Sequence, residues 1–231
     1  MRLNIKVGSN VLVDQHGGLR DEAFAHISNE VDRLHKQGNE VAITTSGYAA
    51  AGGGKSKEAY HKGRKTITDA WNRHLEDRFD GIHLVGQVSL QQTAVLVQAR
   101  LDEGKIPVTN GDFGDHRFSN NDLLAAAIAR ELRMDRIVLL GDMPGVCTDI
   151  NNPEDTVIHS IDLDELDECR LFIGGTSANG TGGIETKFRA AASSGITTHY
   201  GHWQSSINEL LFAADVGTTF VRTGQEDRSL T

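Results

Sequence analysis

The chain has 231 residues, 24% of them charged and 38% hydrophobic, and a net charge of −9. That length suits one large α/β domain or two small ones, and the acidic balance argues against nucleic acid or an anionic membrane as the main partner, since both reward clustered Lys and Arg. Its 25 glycines against 3 prolines exceed the usual glycine share of ~7% and point to tight turns and to backbone that approaches a ligand closely.

In chain order, residues 3–7 read as a strand that runs into the turn Gly8-Ser9-Asn10. Within 19–37, Phe24, Ile27, Val31 and Leu34 recur at helical spacing, and Gly38 is the stop. A β-branched strand over 41–45 ends at Ser46-Gly47, and 57–79 reads as a polar helix. A strand over 82–88, a helix over 91–102 and a strand over 106–109 follow, then an Ala/Leu-rich helix over 121–132. Residues 136–140 form a buried strand with Gly141-Asp142 at its end, and 156–161 read as one arm of a small hairpin. A glycine-led helix over 182–194, a strand over 197–200, a short helix over 206–212 and a strand over 218–221 complete the pattern. Strands alternating with helices predict an α/β fold whose mostly parallel sheet is covered on both faces. One domain is expected over 1–224, with a polar tail over 225–231.

Cys147 and Cys169 make neither a metal motif nor a disulfide framework, which points to a reduced compartment. No run approaches the ~18 apolar residues of a membrane span, and residues 1–13 do not resemble a signal peptide, so a cytoplasmic location is expected. Of the ten histidines, His199 and His202 are the tightest pair, but no carboxylate or cysteine stands at ligand spacing from them.

In open parallel sheets, ligands bind beyond the carboxyl ends of the strands. The polar, glycine-rich turns fall there: Gly8-Ser9-Asn10, Ser46-Gly47, Asn110-Gly111-Asp112 and Gly141-Asp142. Lys6-Val7-Gly8-Ser9 offers an ammonium beside amides that can cradle phosphate, although a solvated strand lysine fits the same pattern. Gly180-Thr181-Gly182-Gly183 leads into a helix whose first N–H groups lack intrahelical partners, with Thr186 and Lys187 one turn inside. Asn120, Asn121 and Asp122 open another helix; one of them suffices as a cap, which leaves polar groups at the same edge.

Taken in order, these segments resemble the amino-acid kinase superfamily, and within it the kinase domain of the glutamate 5-kinases. The matches are Lys6-Val7-Gly8-Ser9, Thr45-Ser46-Gly47, residues 106–110, Asn121-Asp122 before Leu124 and Ala126, Gly141-Asp142 before Gly145, Val146 and Thr148, and Gly180 to Gly183 before Thr186-Lys187. The resemblance covers nearly the whole chain. It implies a three-layer αβα sandwich that transfers a phosphoryl group from ATP, with Mg²⁺ carried by the phosphates, to a small carboxylate. L-glutamate is the first candidate, as in proline synthesis. It further implies that Lys6 and Lys187 neutralise the transferring group and that Asp122 orients both. Gly8, Ser9, Gly141, Asp142, Gly145, Thr181, Gly182, Gly183 and Thr186 would join them around the nucleotide, and Ser46, Gly47, Asn110, Asp112 and Asn121 would hold the acceptor. A homo-oligomer is implied too, and the RNA-binding-like domain that many relatives append is not expected.

Three positions depart from the pattern that the glutamate 5-kinases carry. Asn110-Gly111-Asp112-Phe113 replaces Asn-Glu-Asn-Asp, Asn120 replaces an Asp that helps hold the substrate amine, and Gly141 replaces a Thr or Ser. The phosphoryl-transfer half therefore matches while the acceptor half is altered. Kinases of the same fold that act on uridylate, isopentenyl phosphate or another amino acid are alternatives, with Arg64, Lys65 or Arg117 available to an acceptor phosphate. So is a nucleotide- or oxyanion-binding protein that does not turn over.

Overall fold

The side-chain alternation of the first strand decides how the rest of the chain is layered. In β1 (Arg2–Val7), Leu3, Ile5 and Val7 face one side and Asn4 and Lys6 the other, and all five are buried. The first side is covered by α1 (Ser9–Leu12), α2 (Asp21–Lys36), α3 (Tyr48–Gly52), α4 (Lys57–Leu75) and α8 (Ile207–Phe212), where Phe24, Ile27, Trp71 and Ile207 join Leu3, Ile5 and Val7 in one apolar cluster. The second is covered by α5 (Leu90–Asp102), α6 (Asn121–Glu131) and α7 (Ile184–Ser194), where Val97, Leu124, Ile128 and Phe188 meet Ile137 and Leu139. The protein is described by a computed structural model over residues 1–83, 89–111, 120–165 and 183–223.

Between the helical layers lie β1, β2 (Glu40–Thr44), β3 (Phe79–His83), β4 (Ile106–Asn110), β5 (Arg136–Gly141), β8 (Ser160–Asp162), β9 (Thr198–His202) and β10 (Thr218–Val221). Their order is β3-β4-β2-β1-β5-β9-β10-β8. All pairings from β3 to β9 are parallel; β10 runs antiparallel to β9 and parallel to β8. The three-layer sandwich is therefore the observed architecture. The chain leaves β1 toward β2 on one side and reaches β5 on the other, so strand order reverses between β1 and β5 and opens a crevice at their carboxyl ends. At that crevice the Gly8 amide donates to the Leu140 carbonyl at 3.0 Å.

Several elements differ from the sequence expectation. The turn at 8–10 belongs to α1, and α3 follows β2 at once, started by Gly47 at φ +94. The helix expected over 57–79 ends at Leu75, where Glu76 adopts φ +51, and Phe79 already begins β3. The hairpin arm divides in two: β7 (Val157–Ile158) pairs with β6 (Val146–Cys147), and β8 crosses to the edge of the large sheet. Against α4, α3 packs backbone to backbone. A Cβ on Gly63 would lie 1.8 Å from the Tyr48 carbonyl oxygen, and one on Gly52 1.8 Å from that of Ala59.

Candidate active site

Three residues before the end of β1, Asn4 locks the strand to its neighbours. Its Nδ2 donates to the Ala125 carbonyl at 3.0 Å, and its Oδ1 accepts from Thr44 Oγ1 at 3.1 Å. Lys6, on the same face, is thereby aimed at the start of α6. There Asn120 caps the helix, its Oδ1 accepting from the amides of Asp122 and Leu123 at 2.8 and 3.3 Å. The cap places Asp122 in the first turn, where the helix dipole favours a negative charge.

Asp122, 2% exposed, is the hub. Lys6 Nζ lies 2.5 Å from its Oδ1, and Lys187 Nζ, from the first turn of α7, lies 3.8 Å from its Oδ2. Thr186 Oγ1 donates to that same Oδ2 at 2.7 Å. Burial alone would raise the Asp122 carboxyl, yet the two ammonium groups and the hydrogen bonds from Lys6 and Thr186 bring it down to about 2. Burial also lowers Lys187, which Asp122 raises and the like charge of Lys6 lowers again. The product is a dry, ionised triad with two cations and one anion.

The triad lines a cleft at the β1/β5 reversal with Gly8, Ser9, Asn10, Ser46, Asn120, Asn121, Gly141 and Asp142. Most of the expected site residues meet there, several in roles other than the expected one. The Gly8 amide, expected on phosphate, is committed to Leu140; what glycine supplies is room, since a Cβ would lie 3.2 Å from that carbonyl oxygen. The Thr186 hydroxyl serves Asp122 and the Gly183 carbonyl. Gly145 does not line the cleft: a Cβ there would meet Thr218 Oγ1 at 2.7 Å and Val157 Cγ1 at 2.8 Å, so it is a packing glycine of the β6–β7 hairpin. Gly47 likewise turns the chain into α3 against Val13 and does not line the cleft.

Asn110, expected at the acceptor, is structural as well as polar. Its Nδ2 donates to the Thr45 carbonyl at 2.8 Å, while the Tyr60 hydroxyl reaches both Asn110 Oδ1 and the Gly111 carbonyl at 2.5 Å. The Gly111 amide in turn donates to Asn121 Oδ1 at 2.9 Å. Gly183 caps α7. Asp112, Arg117, Cys169, Thr181 and Gly182 lie outside the described residues. Two contributors carry no signal in the sequence reading, Tyr60 and Tyr200, whose ring lies under Lys187; Asn10, expected only as part of the turn after β1, donates its Nδ2 to Asp142 Oδ2 at 3.0 Å.

Among the described residues no group of three or more His, Cys, Asp or Glu side chains gathers to hold a metal. The carboxylates lining the cleft have partners already, Asp122 in the two lysines and Asp142 in Asn10. His199 is buried in β9, with Nδ1 3.2 Å from Thr219 Oγ1. No described helix is long and apolar enough to cross a membrane.

Residues 74–194 match the amino acid kinase family. The chain belongs to that family. A glutamate 5-kinase from Symbiobacterium thermophilum is 29% identical, the match covering 96% of this chain and 97% of the relative. One from Streptococcus suis is also 29% identical, over 80% of this chain but only 59% of the relative, so the chain spans little more than half of that protein. Among solved structures, the isopentenyl phosphate kinase of T. acidophilum superposes with a TM-score of 0.69 at 16% identity, covering 96% of this chain and all of that one. The shared amino acid kinase fold accounts for the mostly parallel sheet flanked by helices.

Proposed function

We propose that this amino acid kinase transfers the γ-phosphoryl group of Mg-ATP to the carboxylate of a small acceptor, L-glutamate first, giving an acyl phosphate and ADP. The observation that carries the reading is the buried Lys6–Asp122–Lys187 triad at the strand-order reversal. A carboxylate oxygen of the acceptor attacks the γ-phosphorus, and the bond to the β,γ-bridging oxygen breaks with its electron pair leaving on ADP. No proton has to move, so no base is required. Asp122, ionised down to about pH 2, anchors the two ammonium groups. Lys6 and Lys187 stand where negative charge spreads over the transferring oxygens, in a site from which water is largely excluded. Amides at helix starts, such as those of Ser9 in α1 and of Gly183 at the cap of α7, add donors for the phosphates. Gly141 and Asp142 belong with the nucleoside, and Ser46 and Asn121 with the acceptor. Mg²⁺ belongs to the nucleotide substrate, held by its phosphates and water.

Names of relatives at 29% identity support glutamate as the acceptor. Lys65, a candidate for gripping an acceptor phosphate, is instead paired with Asp69 at 2.5 Å on the exposed side of α4.

The test is ADP release from Mg-ATP with L-glutamate, aspartate and phosphate-bearing acceptors, with hydroxylamine to trap any acyl phosphate. Glutamate-dependent ADP together with a hydroxamate is the expected result. Release only with a phosphate acceptor overturns the carboxylate reading, and nucleotide binding without turnover overturns the kinase. In the same assay Lys187→Ala lowers kcat by about 100-fold or more, the scale of a lost transition-state charge contact.

A further inference from the structure

We propose that Tyr200 is a positioning residue for Lys187: its ring is the floor that holds the ammonium over the cleft, and residue 141 is glycine because that ring takes the space a side chain would need. The proposal rests on the phosphoryl-transfer role just given to Lys187. Its first support is the unequal grip of Asp122 on its two lysines. Lys6 Nζ is in direct contact at 2.5 Å, whereas Lys187 Nζ stands 3.8 Å away. The like charge of Lys6 pushes against Lys187 as well. Lys187 needs another support, and its Nζ lies 5.1 Å from the centroid of the Tyr200 ring, within cation–π range.

The second support comes from the strand register. Tyr200 on β9 is paired with Leu139 on β5, two residues before Gly141, and is 4% exposed. A Cβ on Gly141 would lie 2.8 Å from Tyr200 Cε2 and 2.9 Å from its hydroxyl oxygen. A side chain at 141 and the ring in its present place exclude one another. The ring works as a neutral face: burial and the nearby Asp142 and Asp122 carboxylates hold the phenol far above its ordinary value. The groups around Lys187 are thus Asp122 on α6, Lys6 on β1, Asp142 after β5 and the ring on β9.

Four variants test this: Tyr200→Phe, Tyr200→Leu, Gly141→Ala and the Tyr200→Leu/Gly141→Ala pair. Tyr200→Phe keeps the face and stays within about twofold of the parent kcat. Tyr200→Leu, similar in bulk but without a π face, lowers kcat roughly tenfold with little change in nucleotide KM. It also moves the basic limb of the kcat–pH profile to lower pH, because the ring favours the charged form of Lys187. Gly141→Ala displaces the ring and lowers kcat alone, but adds nothing in the Tyr200→Leu background. Should Tyr200→Leu not fold, phenylalanines of increasing fluorination in place of Tyr200 keep the shape and weaken the face, and kcat falls along the series. Equal losses in the Phe and Leu variants, additive Gly141 and Tyr200 effects, an unmoved basic limb or a flat fluorination series overturn the proposal. Lys187→Ala separates the two levels. If it leaves kcat unchanged, the phosphoryl-transfer reading fails; if it abolishes turnover while Tyr200→Leu keeps the parent kcat, only the positioning role fails.

Discussion

Asp122 keeps its charge in a place where a lone buried carboxylate would take up a proton. Because its folded value of about 2 lies below the ordinary 3.8, the ion pairs stabilise the fold fully above about pH 4 and are lost as pH falls through 2. The stake is about 2 kcal/mol. Asp122→Asn leaves Lys6 and Lys187 facing each other without an anion and costs roughly 3 kcal/mol or more at neutral pH. Urea unfolding of parent and variant should therefore differ most at pH 6–7 and converge toward pH 2; a constant gap would contradict the ionised triad. Tyr60 makes a second residue-scale case. Tyr60→Phe removes the hydroxyl that braces Asn110 and the Gly111 carbonyl, at about 1 kcal/mol. Steady-state kinetics should show a rise of several-fold in acceptor KM with nucleotide KM unchanged. Equal shifts in both constants would place Tyr60 outside the acceptor side.

The α3–α4 pair is joined by close backbone contact and by the edge-to-face rings of Tyr48 and Tyr60, and it reaches the site through the Tyr60 hydroxyl. Since a Cβ on Gly63 would overlap the Tyr48 carbonyl, Gly63→Ala must separate the two helices. Stability falls by about 2 kcal/mol or more, readable as a lower Tm, and acceptor KM rises because Tyr60 rides on α4. Other elements were legible because their signals are local. Four apolar residues at helical spacing mark α2, Asn120 with its neighbours marks the start of α6, and a run of buried branched residues marks β5. The end of α4 was not, because Glu76, Asp77 and Arg78 continue its polar composition and only the φ of Glu76 stops it. The same division runs through the site. Lys6, Asp122 and Lys187 sit in motifs at strand and helix ends. Tyr200, by contrast, is one more aromatic residue in an alternating strand, and the pairing of β9 with β5 alone brings it under Lys187.

Across the whole molecule, alternation of strand and helix in the sequence leads to the parallel sheet, while the reversed direction of β10 and β8 depends on pairings between short strands that no local pattern announces. The strand at the centre of the sheet is also the first one in the chain. β1 can zip to β2 soon after both exist, but Leu3 meets its other partner only at Arg136. Bringing such distant segments together carries a loop-closure cost that slows folding. The crevice that gathers the triad therefore has no walls until more than half of the chain is in place, and a nascent chain holds Lys6 ready long before Asp122 or Lys187 has been made. Refolding from urea should recover far-UV ellipticity first and the binding of a fluorescent ATP analogue in a later, slower phase. Simultaneous recovery of both signals would mean that β1 and β5 pair early. Competence to bind nucleotide is on these grounds a late event in the life of each molecule, and a marker of completed assembly.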